Sequence, residues 1–157
     1  MEIKEKIERI ECLIGKKLSK ADRVIIEGYE RGYRVIGEVL YNPYGKQLKE
    51  EIKENRKNRV TPYITKRVKL LDVNISLHRF IAYQKYGLAV VMPRIVVRHK
   101  DGDSLNNIED NIWIGNSRDN HLDIPRESRV KIARNASNFW KSKRYEGVME
   151  LGLEYID

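Results

Sequence analysis

Cysteine is almost absent from this chain, since Cys12 is the only one among 157 residues. One thiol cannot form an internal disulfide or a zinc site built from several cysteines. No structural zinc is therefore expected, and any metal ion would be held by oxygen and nitrogen ligands. Cys12 lies in an apolar stripe, so we expect it to be an inert core residue.

Long apolar runs are also missing. No stretch approaches the roughly 18 residues that a membrane span needs, and the N-terminal sequence MEIKEKIERIE lacks the apolar segment of a signal peptide. We therefore expect no membrane partner and a cytoplasmic location, with association to the nucleoid as a variant of it. Internal repeats and a clear domain boundary are absent as well.

Positive charge is in excess. The chain has 31 Lys and Arg residues against 23 Asp and Glu, which gives a net charge of +8 and a pI near 9.5. Nine tyrosines and two tryptophans are interleaved with the basic residues. This combination favours a polyanionic partner, with nucleic acid as the leading class. The length fits one compact domain, or one domain with an appended arm.

Helical spacing of apolar residues indicates three longer helices. Ile3, Ile7, Ile10 and Ile14 predict an amphipathic helix over residues 2–18. A second helix is expected over 76–86, with Ser76 as its N-cap, and a basic one over 126–145.

Short β-branched runs indicate strands elsewhere. They lie at residues 23–26, 33–36 and 38–41, followed by a turn at 42–45, and at 60–71. The mixed charge run at 46–59 predicts a solvated helix or a mobile loop.

Histidine, asparagine and aspartate side chains concentrate between residues 96 and 123, which read VVRHKDGDSLNNIEDNIWIGNSRDNHLD. The pattern predicts a strand, a wide polar loop, a second strand and a helix. Phosphodiester hydrolysis needs an attacking water, a base to take its proton and a Lewis acid on the phosphate. An ordinary histidine titrates in the right range for the base. An asparagine carbonyl can fix its tautomer, and hard oxygen ligands suit the metal.

This segment resembles the HNH, or ββα-metal, endonucleases, in the branch encoded by phages and introns. The family core reads roughly His-x-Asp-Gly-(Asn/Asp), then Asn-Asn, Asn-Leu, Trp-x-(Gly/Thr) and Asn. The matching residues in this chain are His99, Asp101, Gly102, Asp103, Asn106, Asn107, Asn111, Ile112, Trp113, Gly115 and Asn120. Asn111 follows His99 by 12 positions and Asn120 follows Asn111 by 9, which suits this branch.

The resemblance extends more weakly towards the N-terminus. Residues 77–82 (LHRFIA) are similar to the helix that commonly precedes the nuclease core, and residues 28–48 resemble a small β-hairpin DNA-binding module. The motif-level match covers residues 76–124, the match over 23–75 is weak, and both ends are unmatched.

The resemblance implies an α+β fold in three parts. Residues 1–75 would form an N-terminal helix and a small antiparallel β region of DNA-binding type, 76–124 the ββα-metal nuclease core, and 125–157 a basic C-terminal helix and tail. It also implies metal-dependent hydrolysis of double-stranded DNA that leaves 5′-phosphate and 3′-hydroxyl ends. A monomer would nick and a homodimer could cut both strands. The resemblance, which is to the homing-type branch, also implies an origin in a phage, a prophage or a mobile element, with homing, restriction and packaging all open as the biological role.

Carried over by residue, the resemblance makes His99 the general base, Asn111 the residue that orients its imidazole, and Asn120 a metal ligand. Mg²⁺ is the implied ion, with Mn²⁺ as the alternative. Arg98 departs from the family, which often has Asp or Asn there as the second metal ligand. An arginine cannot coordinate a cation, so three alternatives stay open. Asp123 could serve from the same helix face as Asn120, Asp101 or Asp103 could reach from the loop, or Arg98 could hold the phosphate beside a weaker metal site.

Several residues have two interpretations. His78 either supports the active site or is a structural histidine, and His121 competes with Asn120, although the family spacing favours Asn120. Trp113 is expected in the core, and the Asn106-Asn107 pair is expected to shape the loop or to contact a phosphate. Arg98 and the helical residues Arg126, Arg129, Lys131 and Arg134 are candidates for DNA phosphates, which position a protein without reading sequence; a solubilising surface is the alternative for the helix.

Arg98 also keeps a second class of function open. A DNA-binding protein could retain the HNH fold with weakened or absent catalysis. A third class, an RNA-directed nuclease or RNA-binding protein, would prefer single strands.

Overall fold

The computed structural model describes residues 2–55 and 63–150, with the backbone alone at residues 55, 63 and 139–150. The elements in this part of the chain form a mixed α+β structure. In chain order they are α1 (Ile3–Ile14), α2 (Lys20–Glu30), β1 (Arg34–Ile36), β2 (Val39–Tyr41), β3 (Glu50–Asn55), β4 (Tyr63–Leu70), β5 (Val73–Ser76), α3 (Leu77–Tyr86), β6 (Val96–His99), β7 (Ile112–Gly115), α4 (Ser117–Leu122) and α5 (Arg126–Glu150), with short 3-10 turns at Gly87–Val91 and Glu109–Asn111.

The chain begins with two helices. The first, α1, ends at Gly15, which takes the left-handed conformation at φ 69° that favours glycine at a helix end. The strand predicted at residues 23–26 is wrong, because these residues lie inside α2. Ser19 caps that helix by accepting a hydrogen bond from the Asp22 backbone N–H at 3.0 Å. Packing on one side outweighs the strand preference of a β-branched run.

Helix α2 packs closely on the central sheet. A Cβ added at Gly28 would lie 2.8 Å from Leu70 Cδ2 of β4, so the helix approaches the strand through the missing side chain. Cys12 does not join this packing. It is exposed, and the expectation of a core cysteine is wrong.

Three antiparallel sheets follow in the described residues. As predicted, β1 and β2 pair as a hairpin that leads into the turn at 42–45. The helix or loop predicted for the charged run is wrong at Glu50–Asn55, where β3 pairs with β4 as an exposed edge strand. Such a strand keeps its charges in solvent. Residues 56–62 of the two predicted segments lie outside the described residues.

The third strand of that sheet has no signal in the sequence. Strand β5 follows β4 through a tight turn in which Leu71 and Asp72 both have positive φ values, 45° and 64°. A two-residue hairpin turn of this kind normally uses Asn and Gly. This turn has neither Asn nor Gly at its two central positions, so the usual hairpin signal is missing and the sequence does not predict β5.

The predicted helix at 76–86 is α3, which ends at Gly87 with φ 61°. Ser76 takes the N-cap position, although its side chain makes no capping hydrogen bond. The buried face of α3 belongs to one hydrophobic cluster. The members of this cluster come both from residues 1–75 and from the residues that follow them in sequence. The cluster includes Ile25, Ile26, Leu40, Leu70, Ile75, Leu77, Phe80, Ile81, Val90 and Ile112.

Strands β6 and β7 form a two-stranded antiparallel hairpin, with His99 opposite Ile112 and Arg98 opposite Trp113. Helix α4 follows directly, opened by a capping box between Asn116 and Asp119. This is the predicted order of strand, loop, strand and helix. The expectation that Trp113 is a core residue is wrong, because it is 38% exposed.

The basic helix predicted after Pro125 is α5. Across the residues that the structure describes, no helix is both long enough and apolar enough to span a membrane.

Candidate active site

His99 lies at the end of β6 with only 6% of its surface exposed. Its Nε2 is 2.9 Å from the Asn107 side-chain oxygen Oδ1. A carbonyl oxygen only accepts hydrogen bonds, so with the amide in this orientation the imidazole carries its proton on Nε2. The lone pair then lies on Nδ1, which is the atom left to accept a proton. The arrangement has the form of a general base held in one tautomer.

Asn107 is held at two points, by its side chain on His99 and by its backbone on Glu38. It is 1% exposed, and its backbone N–H donates to the Glu38 carboxylate Oε1 at 2.8 Å. Glu38 comes from the turn between β1 and β2, so the N-terminal hairpin supports the residue that holds the imidazole. The amide nitrogen Nδ2 of Asn107 is buried without a partner in the part of the chain that the structure describes.

Asn111 does not have the predicted role, because its side chain bonds within the loop and not to the imidazole. Its Oδ1 accepts from the Asp101 backbone N–H at 3.0 Å, and its Nδ2 donates to Asp101 Oδ1 at 2.9 Å and to the Asn106 carbonyl at 2.8 Å. The 3-10 turn at Glu109–Asn111 directs the amide across the loop. Asn107 therefore takes the place that the resemblance gives to Asn111.

Asp101 is the hub of this loop. Its carboxylate accepts from the Asn106 amide at 2.7 Å and from the Asp103 backbone N–H at 2.8 Å, besides Asn111. Partial burial raises the pKa of Asp101, but these hydrogen bonds and the nearby His99 outweigh it and hold the pKa below its usual value. Asn106 thus shapes the loop, as the sequence predicts.

Gly102 joins the loop to the helix that follows the hairpin. It adopts φ 75°, and a Cβ at this position would lie 2.7 Å from the Asp123 carbonyl oxygen. Both the backbone conformation and the space demand glycine. The Asp-Gly pair of the motif therefore sets the distance between the loop and the end of α4.

His78 on α3 lies against His99. The two ring centroids are 4.9 Å apart, with a 55° angle between the ring planes. Burial lowers the pKa of His78 to about 3, with further lowering from His99 and Arg79. His78 is thus neutral at physiological pH and can take up the space beside His99 without opposing a positive charge on it.

Neutral His78 predicts that the folded state loses stability in acid. In the unfolded chain His78 protonates near pH 6.5, whereas in the folded chain it stays neutral down to about pH 3. The unfolded state therefore binds more protons in that window, and stability falls as the pH drops below 6.5. We expect the loss between pH 7 and pH 4.5 to be smaller in His78→Gln by on the order of 2 kcal/mol. Urea unfolding of both proteins at the two pH values measures this, and an equal loss would contradict the burial of a neutral imidazole.

Arg98, which precedes His99 in sequence, forms an ion pair with Asp123. Arg98 Nη1 lies 2.7 Å from both carboxylate oxygens of Asp123, and the two side chains are only 17% and 12% exposed. Gly115 leaves the room for it, because a Cβ there would lie 3.1 Å from Arg98 Nε and 2.8 Å from Asp119 Oδ2. The two opposite charges thus neutralise each other where both side chains are mostly shielded from solvent.

The residues present do not form the metal site that the resemblance implies. The carboxylate of Asp123 is already neutralised by Arg98, and the carboxylates of Asp101 and Asp103 accept loop hydrogen bonds. Asn120 is exposed on α4 and would be a lone amide ligand. Among the side chains that the structure describes, no group of three or more His, Cys, Asp or Glu is placed to hold a metal ion.

The other candidates are not joined to this cluster by any hydrogen bond or ring contact among the described side chains. His121 is exposed on α4, and Arg126, Lys131 and Arg134 are exposed on α5. Arg129 is half-buried, with its Nε buried and unpartnered within the described residues. The described contacts thus join His99 to His78 and to Asn107, whereas Arg98 and Asp123 form a separate pair.

The sequence did not predict two contacts, that of Glu38 with Asn107 and that of Asn107 with His99. The second had a signal, because an amide pair in the loop of a histidine strand offers two candidate partners for the imidazole. The first had none, since Glu38 is 69 residues away in sequence.

Comparisons of the chain with protein-family models, with curated proteins and with solved structures find no match. The HNH assignment therefore stays a prediction from the motif.

Proposed function

We propose that this protein is an HNH-type endonuclease that hydrolyses DNA phosphodiesters with His99 as the general base. The observation that carries the proposal is the His99 imidazole itself. It is buried at a strand end, has its Nε2 on Asn107 Oδ1, and thus has Nδ1 left as a proton acceptor.

The local architecture supports this choice. The order of β6, polar loop, β7 and α4 is that of a ββα nuclease core, and the loop is closed by the motif residues Asp101, Asn106 and Asn111. The net charge of +8 favours DNA as the polyanion.

In the proposed reaction, a water molecule attacks the phosphorus atom while His99 Nδ1 takes its proton. The bond from phosphorus to the 3′ oxygen breaks, and that oxygen takes a proton from solvent. The products are a 5′-phosphate and a 3′-hydroxyl. Asn107 holds the tautomer, and neutral His78 lets the imidazole become positive without a charged neighbour on that side.

Arg98 is proposed as the fixed cation for the phosphate. Its hydrogen bonds to Asp123 use Nη1 alone among the described contacts, so Nη2 is left as a donor for a phosphate oxygen. The carboxylate prevents the side chain from moving away. Because the protein ligands for a metal do not fit, no step is assigned to one, and dependence on Mg²⁺ or Mn²⁺ stays a prediction.

Supercoiled plasmid tests the proposal. We expect conversion to the open circular form on incubation with the protein, in parallel reactions with Mg²⁺, Mn²⁺ or EDTA. Intact plasmid in all three conditions, at protein concentrations that shift DNA in a gel, would contradict nuclease function.

Asn107 gives a second, more specific prediction. Loss of a residue that orients a catalytic or ligating histidine typically costs about 10- to 100-fold, and we expect Asn107→Ala to lower the nicking rate by this factor. Asn107→Asp keeps an oxygen acceptor at the position and should retain more activity. The matched control is the neighbouring Asn106→Ala, whose loop bond does not reach the imidazole. Circular dichroism verifies folding, and equal rates for Asn106→Ala and Asn107→Ala would contradict the role of Asn107.

A second candidate function is DNA binding without cleavage. The observation that favours it is the Arg98–Asp123 pair, which takes up the carboxylate that a metal-dependent nuclease would use. The plasmid assay distinguishes the two, because a binding protein shifts DNA and leaves it intact.

A further inference from the structure

Trp113 is an aromatic residue whose side chain stays partly exposed. Its strand pairs with the strand that carries the proposed base. Trp113 lies on β7 directly after buried Ile112, and alternation along the strand turns its side chain to the other face of the hairpin. At 38% exposure, part of the indole is open to solvent. The indole N–H donates to the Asp110 carbonyl at 2.8 Å, which fixes the orientation of the ring.

Three cationic groups surround this ring. Lys100 Nζ lies 4.6 Å from its centroid, Lys85 Nζ 5.8 Å and Arg98 Cζ 5.9 Å. Arg98 and Lys100 are the residues on either side of His99. Two of the three cations thus lie on, or directly after, the strand that carries the proposed base, and Lys85 lies on α3.

The attraction between Lys100 and the ring does not close this surface. A cation over an exposed aromatic face is only weakly attracted to it, and Lys100 is an exposed side chain. A flat group that stacks on the indole can displace it, and the released ammonium is then available to a nearby anion.

We propose that Trp113 is a stacking platform for an unpaired base of single-stranded DNA, with Lys100 binding an adjacent phosphate. Lys85 Nζ donates to the Glu109 and Ile112 carbonyls at 3.0 and 3.2 Å, so it adds its positive charge and one remaining N–H. A fixed aromatic face surrounded by cations is the combination that single-strand binding uses, because every base has a π face and each is followed by a phosphate. This inference rests on the proposed function in one respect: the single strand held at Trp113 would belong to the DNA that His99 cleaves. A base can stack there only where the duplex is opened.

Intrinsic fluorescence tests the platform directly. The chain has two tryptophans, so Trp140→Phe leaves Trp113 as the only indole. His99→Ala in the same chain prevents cleavage during the titration. We expect oligothymidylate to quench the remaining fluorescence strongly, and a duplex of equal length to quench it much less.

Replacement of the ring gives the matched comparison. Trp113→Leu keeps apolar volume without a π face and should weaken binding of oligothymidylate by roughly 5- to 150-fold, with little effect on duplex binding. Trp113→Phe keeps a smaller ring and should fall between the two. Binding of labelled oligothymidylate, followed by anisotropy, measures all three proteins.

Two results would overturn the proposal. One is equal affinity of the Trp113→Leu and parent proteins for oligothymidylate. The other is quenching by polyglutamate to the same extent and with the same loss in Trp113→Leu, which would make the occupant an acidic polypeptide. These binding results do not depend on cleavage. A protein that never nicks plasmid but shows the Trp113 effect would refute the nuclease and retain the platform, and the reverse pattern would do the opposite.

Discussion

His99→Ala is expected to lower the rate of plasmid nicking by at least the general-base factor of roughly 10²–10⁴. Because Nε2 of the His99 imidazole is committed to Asn107, Nδ1 is left to accept a proton, whereas burial lowers the pKa of the neighbouring His78 to about 3 and makes it a poor base. DNA binding should persist, because the imidazole is buried and the substitution leaves the lysine and arginine side chains in place. The rate is measured as loss of supercoiled plasmid, and binding by gel shift.

His121→Ala is the matched control for this experiment. His121 is exposed on α4, and no described contact joins it to His99. We expect its nicking rate to stay close to that of the parent protein. If His121→Ala lost activity and His99→Ala kept it, the assignment of the base would be wrong.

Arg98→Gln is expected to lower the nicking rate by about 10²–10³, the usual cost of removing a fixed donor that stabilises developing charge. The guanidinium lies next to the proposed base in sequence and is held by Asp123 at 2.7 Å. The matched control is Arg118→Gln, because Arg118 is an exposed arginine on α4. Initial rates at saturating DNA separate this effect from weaker binding.

Loss of Arg98 also leaves the Asp123 carboxylate without its partner, which can destabilise the fold. The double variant Arg98→Gln with Asp123→Asn removes both charges and tests the role of the guanidinium in a neutral pair. The result against our account is a gain of activity in Mg²⁺ for Arg98→Asn, which supplies the residue type that the family often has there. Arg98 would then block a metal site, and the native chain would be a weakened nuclease.

Elements with regular spacing could be predicted from the sequence. The apolar positions of α1 and α3, and the β-branched runs of β1, β2 and β4, each point to the observed structure. The failures have a common physical cause in tertiary packing. Residues 23–26 are β-branched but lie on a helix that packs through Gly28 onto Leu70, and the charged residues of β3 form a strand because β4 offers its edge.

The site could be predicted only in part. The motif identifies His99 at a strand end and the loop built by Asp101, Asn106 and Asn111. It does not identify Asn107 as the imidazole's partner, because the choice between neighbouring amides depends on how the loop folds. Nor does it show that Arg98 and Asp123 pair, since the sequence around an aspartate does not reveal whether its carboxylate binds an arginine or a metal ion.

The exposure of Trp113 likewise could not be predicted from the sequence. Alternation along β7 gives opposite directions to Ile112 and Trp113. Which direction is buried depends on α3, which packs on the hairpin and covers Ile112. A sequence with one aromatic in a β-branched run cannot show this, and core burial was the natural expectation.

The most direct test of hydrolysis at His99 is the chemistry of the ends that the protein leaves. DNA ligase reseals a nick only when it has a 3′-hydroxyl and a 5′-phosphate. Our account predicts that plasmid nicked by the parent protein is resealed by ligase, and that His99→Ala yields almost no nicked plasmid under the same conditions. Nicks that ligase cannot seal, or equal nicking by His99→Ala, would contradict it.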